Sequence, residues 1–388
     1  MLKYLIQIKR FISKGCPYEL QKQAPSDLSK TWKSLLWKDK PQFLVLYIIT
    51  KLIWRPLFPF TKQVDQNLFN KNHSSKIKQL LKKDHISAFY FRYFNFQKND
   101  NWNNRHNYLY HKTLKHCLSL LAEKPNAEIL NDKLKFHDFC LENNIPTPHV
   151  FSDGNKLQTN SLRPWDVNKD FIIKRTTGSQ GKGFQIFSYN KAEDKYSNTN
   201  HEQFIEKKQM EKHLLAILNN SNEGYLVQEK ISSHEYFKTL GNGALSVIRI
   251  LSILDQNNNV KLFRPILKIP QREMVTTEIH RGAKAYTVNC ESGKIDQRIA
   301  EKNTKPDKLD EFTEPLPYWN ELKDSITKSH QKLNDIPLVG WDVTITSEGP
   351  CIIEGNTIPS LDIHQLQPYG PFIGTPFYDL FLNQLKHR

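Results

Sequence analysis

The hydrophobic pattern is helix-like in the first part of the chain and strand-like in the rest. Residues 75–125 read as helical, with aromatics dense around Phe89–Phe96. Asn131–Asn144 reads as one helix, in which Leu134, Phe136, Phe139, Cys140 and Leu141 give a broadly amphipathic pattern. Ile145–Pro148 (IPTP) stops it, because proline has no N–H with which to continue the ladder. A strand at His149–Ser152 follows. From about 165 onward, apolar runs bounded by turn residues predict strands at Phe171–Lys174, Phe184–Ser188, Tyr225–Ile231, Leu245–Leu254, Val260–Ile269, Leu338–Thr346 and Cys351–Glu354. Helices are predicted at His201–Leu218 and Tyr318–Leu333. The polar stretch Asp255–Asn259 joins two long runs as a hairpin, and Ser347–Pro350 joins another. Mixed strands with segregated helices predict an α+β architecture rather than a doubly wound sheet.

At 388 residues the chain exceeds one small core and suits about two or three lobes sharing a cleft. It is 38% hydrophobic, with 22 Phe, 15 Tyr and 7 Trp, which excludes a disordered chain. The formal net charge of +15 attracts nucleic acid, anionic lipid or an acidic substrate without choosing among them. No aromatic–basic signature of a nucleic-acid module appears, so no nucleic-acid partner is expected. The first 64 residues hold twelve Lys or Arg and three acids, a net of about +9. Apolar patches alternate with lysines there, which fits either peripheral contact with an anionic membrane or packed helices with a solvated basic face.

The most apolar stretch, Phe43–Trp54, is interrupted by Lys51 and is about half the ~20 residues that span a bilayer. Neither a transmembrane helix nor a signal peptide is expected. Cys16, Cys117, Cys140, Cys290 and Cys351 are odd in number and include no CxxC pair, so neither a disulfide framework nor a zinc site is expected. A cytoplasmic protein fits, with the inner membrane face as a peripheral location. His106, His111 and His116 are five residues apart, whereas a metal pair on one helix face needs three or four. The expected organisation is a basic, mainly helical region 1–125 and a catalytic region 126–388. The latter divides into a nucleotide-gripping part at about 165–235 and a metal-binding part at about 236–388.

Four segments carry chemistry. In FIIKRTTGSQGKGFQIFS a strand ends at Lys174, a flexible loop follows (Gly178, Ser179, Gln180, Gly181, Lys182, Gly183), and a second strand begins at Phe184. Glycines let backbone N–H groups approach phosphate oxygens, and Lys174 and Lys182 add charge. The loop lies between strands, as a flap, and is not a Walker loop. The second segment, YLVQEKI, is an apolar strand ending in Gln228, Glu229, Lys230 and Ile231; it can present backbone groups to an adenine edge and a carboxylate to a ribose. The third is the strand pair SVIRILSIL and VKLFRPILKI. Arg249, inside an apolar strand, must find an anionic partner. Arg264 and Lys268 alternate onto one face of the next strand. The fourth is LVGWDVTITSEGPCIIEGNTIPSLD. Its short turn makes two antiparallel neighbours, placing Asp342 nearly opposite Glu354 with Asn356 just beyond. Two carboxylates and an amide oxygen, without histidine or cysteine, point to Mg²⁺.

In this order the segments resemble the ATP-grasp fold over about 131–375. SVIRILSIL, GWDVTIT and CIIEGNTIPSLD look most like the sugar-transfer-associated ATP-grasp group, found with polysaccharide biosynthesis. The resemblance implies two α+β lobes gripping ATP, with ATP and Mg²⁺ as cofactors. It implies that Lys133, on the helix leading in, reaches nucleotide phosphate, that Lys174 binds phosphate and that Gly178–Gly183 form the flap. By the same resemblance, Gln228–Ile231 form the adenine hinge, Glu235 binds ribose, Arg249 steadies the transferred phosphoryl group, and Asp342, Glu354 and Asn356 hold the metal. Gln180 replaces a glycine usual in the flap, and Arg175 stands where proline is common. The implied reaction is carboxylate activation through an acyl phosphate, then attack by an amine. A uronic-acid carboxyl or an amino acid is the expected substrate class, with Arg264, Lys268, His280 and Arg281 as a basic pocket for it. Alternatives are an ATP-grasp kinase acting on a hydroxyl, and a non-catalytic basic protein that binds membrane or nucleic acid.

Overall fold

The computed structural model describes residues 74–80, 84, 86–152, 168–178, 184–198, 203–219, 224–237, 245–270, 283–299 and 314–386. Ser179–Gly183, His280, Arg281 and the basic first 64 residues lie outside them. The chain divides into two compact units: Met1–Leu121 with Ile299–Lys305 and Ser360–Arg388, and Ala122–Arg298 with Pro306–Pro359. No helix among the described residues is long and apolar enough to cross a membrane.

The described part of the first unit is helical, with α1 (Ser74–Gln79), α2 (Phe89–Tyr93), α3 (Asn99–Asn103), α4 (His111–Leu121) and a C-terminal helix, Pro376–Lys386. Aromatic rings form its core: Phe94 lies 4.3 Å from Tyr108, and Tyr90 lies 4.6 Å from Tyr110, between centroids. Buried Gln365 accepts from the Leu109 and Phe372 N–H groups and donates to the Leu109 carbonyl, fastening the C-terminal segment to the residues before α4.

The second unit opens with α5 (Ala127–Asn131) and α6 (Lys133–Glu142). Asp132 caps α6 by accepting from the Leu134 and Lys135 N–H groups, and Phe136, Phe139 and Cys140 make its buried stripe. Two antiparallel sheets follow. The first comprises β1 (Val150–Ser152), β2 (Phe171–Arg175), β3 (Gln185–Asn190), β4 (Lys195–Asn198), β5 (Gln203–Glu206) and β6 (Tyr225–Glu229), in the order β1-β6-β2-β3-β4-β5. Helix α7 (Met210–Asn219) supplies Met210 and Leu214 to a core with Phe171, Ile173, Phe187 and Tyr196.

The predicted helix His201–Leu218 is corrected at its start. Gln203–Glu206 pairs with β4, Ile205 is buried and Phe204 exposed, and helix begins only after the 3₁₀ turn Lys207–Gln209. Period-two burial against a neighbouring strand overrides local helix preference there.

The second sheet comprises β7 (Val247–Leu254), β8 (Val260–Ile269), β9 (Lys284–Val288), β10 (Ile295–Arg298), β11 (Leu338–Thr346) and β12 (Gly349–Asn356), in the order β10-β9-β8-β7-β11-β12. The predicted hairpin at Asp255–Asn259 is present: the Asp255 carboxylate accepts from the Asn257 and Asn259 N–H groups at 2.9 and 2.8 Å. Helix α8 (Trp319–Lys332) lays Trp319, Leu322, Ile326 and His330 on this sheet, against Ile248, Ile250, Trp341, Val343 and Ile345. That face is core. The alternate residues of the same strands, including Arg249 and Asp342, point the other way.

Candidate active site

Lys174 ends the apolar part of β2, and its side chain is buried. Burial pushes its ammonium down to about 8; the Glu354 carboxylate opposes that shift and Lys133 adds to it. The two sheets are joined near this point. The Ile352 N–H donates to the Pro146 carbonyl at 2.8 Å, Thr147 Oγ1 donates to the Ile352 carbonyl at 3.0 Å, and the His234 N–H donates to the Ile345 carbonyl at 2.7 Å. Lys133 opens α6; its N–H donates to the Thr176 carbonyl at 2.8 Å and its Nζ to the Gly178 carbonyl at 2.9 Å. Gly178 has φ +94°, a conformation open to glycine, and leads into the predicted flap.

Register puts the charged groups of the second sheet on one face. Arg249 lies opposite Asp342, and Asp342 lies opposite Glu354, as the hairpin predicts. A bulge at Ile353 adds one residue, after which Glu354 and Asn356 both alternate onto the Asp342 side. Gly355 between them packs close: an added Cβ would stand 2.8 Å from Leu130 Cδ2. Arg249 Nε donates to Asp342 Oδ1 at 2.6 Å while Nη2 bonds Oδ2, a two-pronged pair, and Lys268 Nζ stands 3.5 Å from Oδ1. Arg249 thus has the anionic partner its apolar strand demanded, and that partner is the predicted metal ligand. Burial alone would raise the Asp342 carboxyl, but Arg249 and then Lys268 hold it well below the usual carboxylate range. Burial works against the Arg249 charge and Asp342 outweighs it, whereas for Lys268 burial prevails and lowers the ammonium.

Asn356 Nδ2 lies 3.3 Å from Glu354 Oε1, so the three predicted metal ligands form one cluster. Two carboxylates and an amide oxygen fit a hard divalent ion such as Mg²⁺. Asp342 would share its oxygens between that ion and the two cationic side chains already on them.

At the predicted hinge, the Glu229 N–H donates to the His149 carbonyl at 2.8 Å, and buried Gln228 donates Nε2 to the Pro148 carbonyl at 3.2 Å. The Glu229 carboxylate is engaged by Lys169 at 2.9 Å, and the Lys230 ammonium by Asp170 at 2.8 Å. These crossed pairs clamp the end of β6 to the approach to β2, and sequence spacing gave no sign of them. Ile231 follows the strand, and Glu235 is exposed on a short 3₁₀ turn, Glu235–Phe237.

Arg264 is a correction. A bulge sets Arg264 and Pro265 against Ile250 alone, and Arg264 has φ +47°, so the alternation that would carry it onto the Lys268 face ends there.

A further network went unread in the sequence. Trp341 Nε1 donates to Ser252 Oγ at 2.7 Å, Ser252 Oγ lies 2.6 Å from His330 Nδ1, and His330 Nε2 lies 2.7 Å from the Ile336 carbonyl. The carbonyl can only accept, so Nε2 carries the proton and Ser252 donates to Nδ1. Burial holds His330 down at about 4.

The family model described as sugar-transfer associated ATP-grasp matches residues 117–370. No curated protein matches the chain. Among solved structures, D-alanine–D-alanine ligase from Helicobacter pylori is 10% identical with a TM-score of 0.39, covering 67% of this chain and 61% of that one. An L-amino acid ligase from Bacillus licheniformis is 11% identical with a TM-score of 0.35, covering 64% and 46%. An N5-carboxyaminoimidazole ribonucleotide synthetase, as its ADP complex, is 12% identical with a TM-score of 0.38, covering 69% and 60%. The chain therefore spans less than two thirds of each of these proteins. The family model covers more than half of the chain, and by it this protein belongs to the sugar-transfer-associated ATP-grasp family, whose fold works with ATP and Mg²⁺.

Proposed function

We propose that the protein is an ATP-dependent carboxylate–amine ligase that proceeds through an acyl phosphate. The observation that carries this reading is the cluster of Arg249, Lys268 and buried Lys174 around Asp342 and Glu354. Such a cluster suits a polyphosphate and a second anion meeting at one point. Asp342, Glu354 and Asn356 would hold Mg²⁺, which would supply positive charge to the nucleotide phosphates. Lys174 and Lys133 bind the phosphates. Arg249 stabilises charge on the transferring phosphoryl group. The hinge at Gln228–Ile231 takes adenine through its backbone and Glu235 takes ribose.

The family's link to sugar transfer favours a uronic acid or an amino acid as the carboxylate, joined to an amine during surface polysaccharide assembly. We assign recognition of the acidic sugar to His280 and Arg281.

The test is to incubate the protein with ATP, Mg²⁺, uronic acids and amino acids and follow phosphorus species by NMR. ADP and free phosphate that appear only when carboxylate and amine are both present support the ligase. A stable phosphorylated product overturns it in favour of a kinase.

A further inference from the structure

Asp342 is neutralised before any metal arrives. One oxygen takes Arg249 Nε at 2.6 Å and faces Lys268 Nζ at 3.5 Å, while the other takes Arg249 Nη2. The three side chains are mostly shielded from water, at 18% exposure for Arg249 and 9% for both Asp342 and Lys268, so the charges are weakly screened. With Lys174 facing Glu354, the cluster holds three cations against two carboxylates. A bare divalent ion approaching Asp342 meets a site that is already positive, with an ammonium beside the oxygen it needs.

The two cations are not equivalent. Arg249 is locked to Asp342 by a planar fork from the adjacent strand, in direct register. Lys268 lies opposite Val247, two residues along β8 from the partner of Arg249, and reaches Asp342 at a single long contact. A flexible ammonium on one long contact is the easier partner to detach, and nucleotide phosphate is a better acceptor for it than an already paired carboxylate.

We propose that Lys268 is a positioning residue that makes metal binding conditional on nucleotide. It occupies Asp342 in the nucleotide-free protein and moves to the phosphates when nucleotide binds, freeing the carboxylate oxygen for the ion. This inference rests on the reading of Asp342 and Glu354 as metal ligands. A purely structural role for Lys268, as third member of a buried ion cluster, would alter stability but not the coupling between metal and nucleotide.

The test uses the full chain and Mn²⁺ as the probe, with free Mn²⁺ followed by electron paramagnetic resonance, with and without a non-hydrolysable ATP analogue. The parent protein binds Mn²⁺ weakly alone, and at least about tenfold more tightly in the presence of the analogue after correction for chelation by the analogue itself. Lys268→Met gains at least about tenfold in Mn²⁺ affinity without nucleotide, because a like charge beside the ion is gone, and binds the analogue more weakly. Lys268→Arg restores the parent pattern. A parent protein that binds Mn²⁺ equally well with and without analogue overturns the proposal, even if Lys268→Met does not fold. A folded Lys268→Met protein with unchanged or weaker Mn²⁺ binding also overturns it. Asp342→Asn and Glu354→Gln separate the two layers. If both variants still bind Mn²⁺ with the analogue as the parent does, the metal-ligand reading itself has failed; if they lose it while Lys268→Met gains nothing, only the role of Lys268 has.

Discussion

Arg249 and Asp342 are 93 positions apart in sequence and form one ion pair. Arg249→Met leaves a buried carboxylate whose remaining cationic partner is the Lys268 ammonium at a single 3.5 Å contact. The expected loss of stability is about 3–5 kcal/mol, read from urea unfolding. Arg249→Met/Asp342→Asn is expected to cost less than the sum of the single changes, because the second removes the charge that the first stranded. Lys174→Met removes a charged donor from the proposed phosphate site. It is expected to weaken ATP binding about 10- to 100-fold by calorimetry, with little change in melting temperature. Most of these residues were legible as types. An arginine in an apolar strand announced an anionic partner, and D…E-G-N on a short hairpin announced its own register. Which anion Arg249 would meet was not legible, because β7 and β11 become neighbours only through the crossover of the sheet. The Arg264 bulge was equally hidden, since one left-handed residue breaks an alternation that the sequence presents as continuous.

At the scale of elements, α8, β7 and β11 are linked by the chain from Trp341 through Ser252 to His330. Trp341 immediately precedes Asp342 on β11, so this chain fixes the strand that carries the acid. Ser252→Ala leaves the Trp341 N–H and His330 Nδ1 buried without partners, an expected cost of about 1–3 kcal/mol for each, measured as thermal or chemical unfolding. His330 also sets a pH dependence. Its folded value of about 4 lies below its ordinary 6.5, so the unfolded chain binds the extra proton first. The stability it contributes is complete above pH 6.5 and is lost as pH falls toward 4, at up to about 1.4 kcal/mol per pH unit. Melting curves from pH 7 to 4.5 should show that slope in the parent and a shallower one in His330→Leu. Long, strongly patterned elements were read correctly from sequence: β7, β8, β11, α6 and α8. Among the shorter strands β1, β2 and β6 were read too, but β4, β5, β9 and β10 were not. β4 and β10 have four residues each, too few for alternation to stand out, and β5 was absorbed into the helix that follows it.

Across the whole molecule, family membership rests on the order in which ordinary pieces occur: a lysine strand, a glycine loop, a hinge strand, an arginine strand and an acidic hairpin. No single piece carries it. The first unit, with its aromatic core of Tyr90, Phe94, Tyr108 and Tyr110, had no such order to read, and its fastening of Leu109 to Gln365 joins segments far apart in the chain. The proposed chemistry makes a demand that reaches beyond any residue: an oxygen of the carboxylate substrate must leave with the phosphate. The most direct measurement supplies the protein with ATP, Mg²⁺, an amine and a carboxylate labelled with ¹⁸O, and examines the released phosphate by mass spectrometry. One labelled oxygen in the phosphate for each ADP formed is the predicted result. Unlabelled phosphate, or label retained in a stable phosphorylated product, would contradict the account.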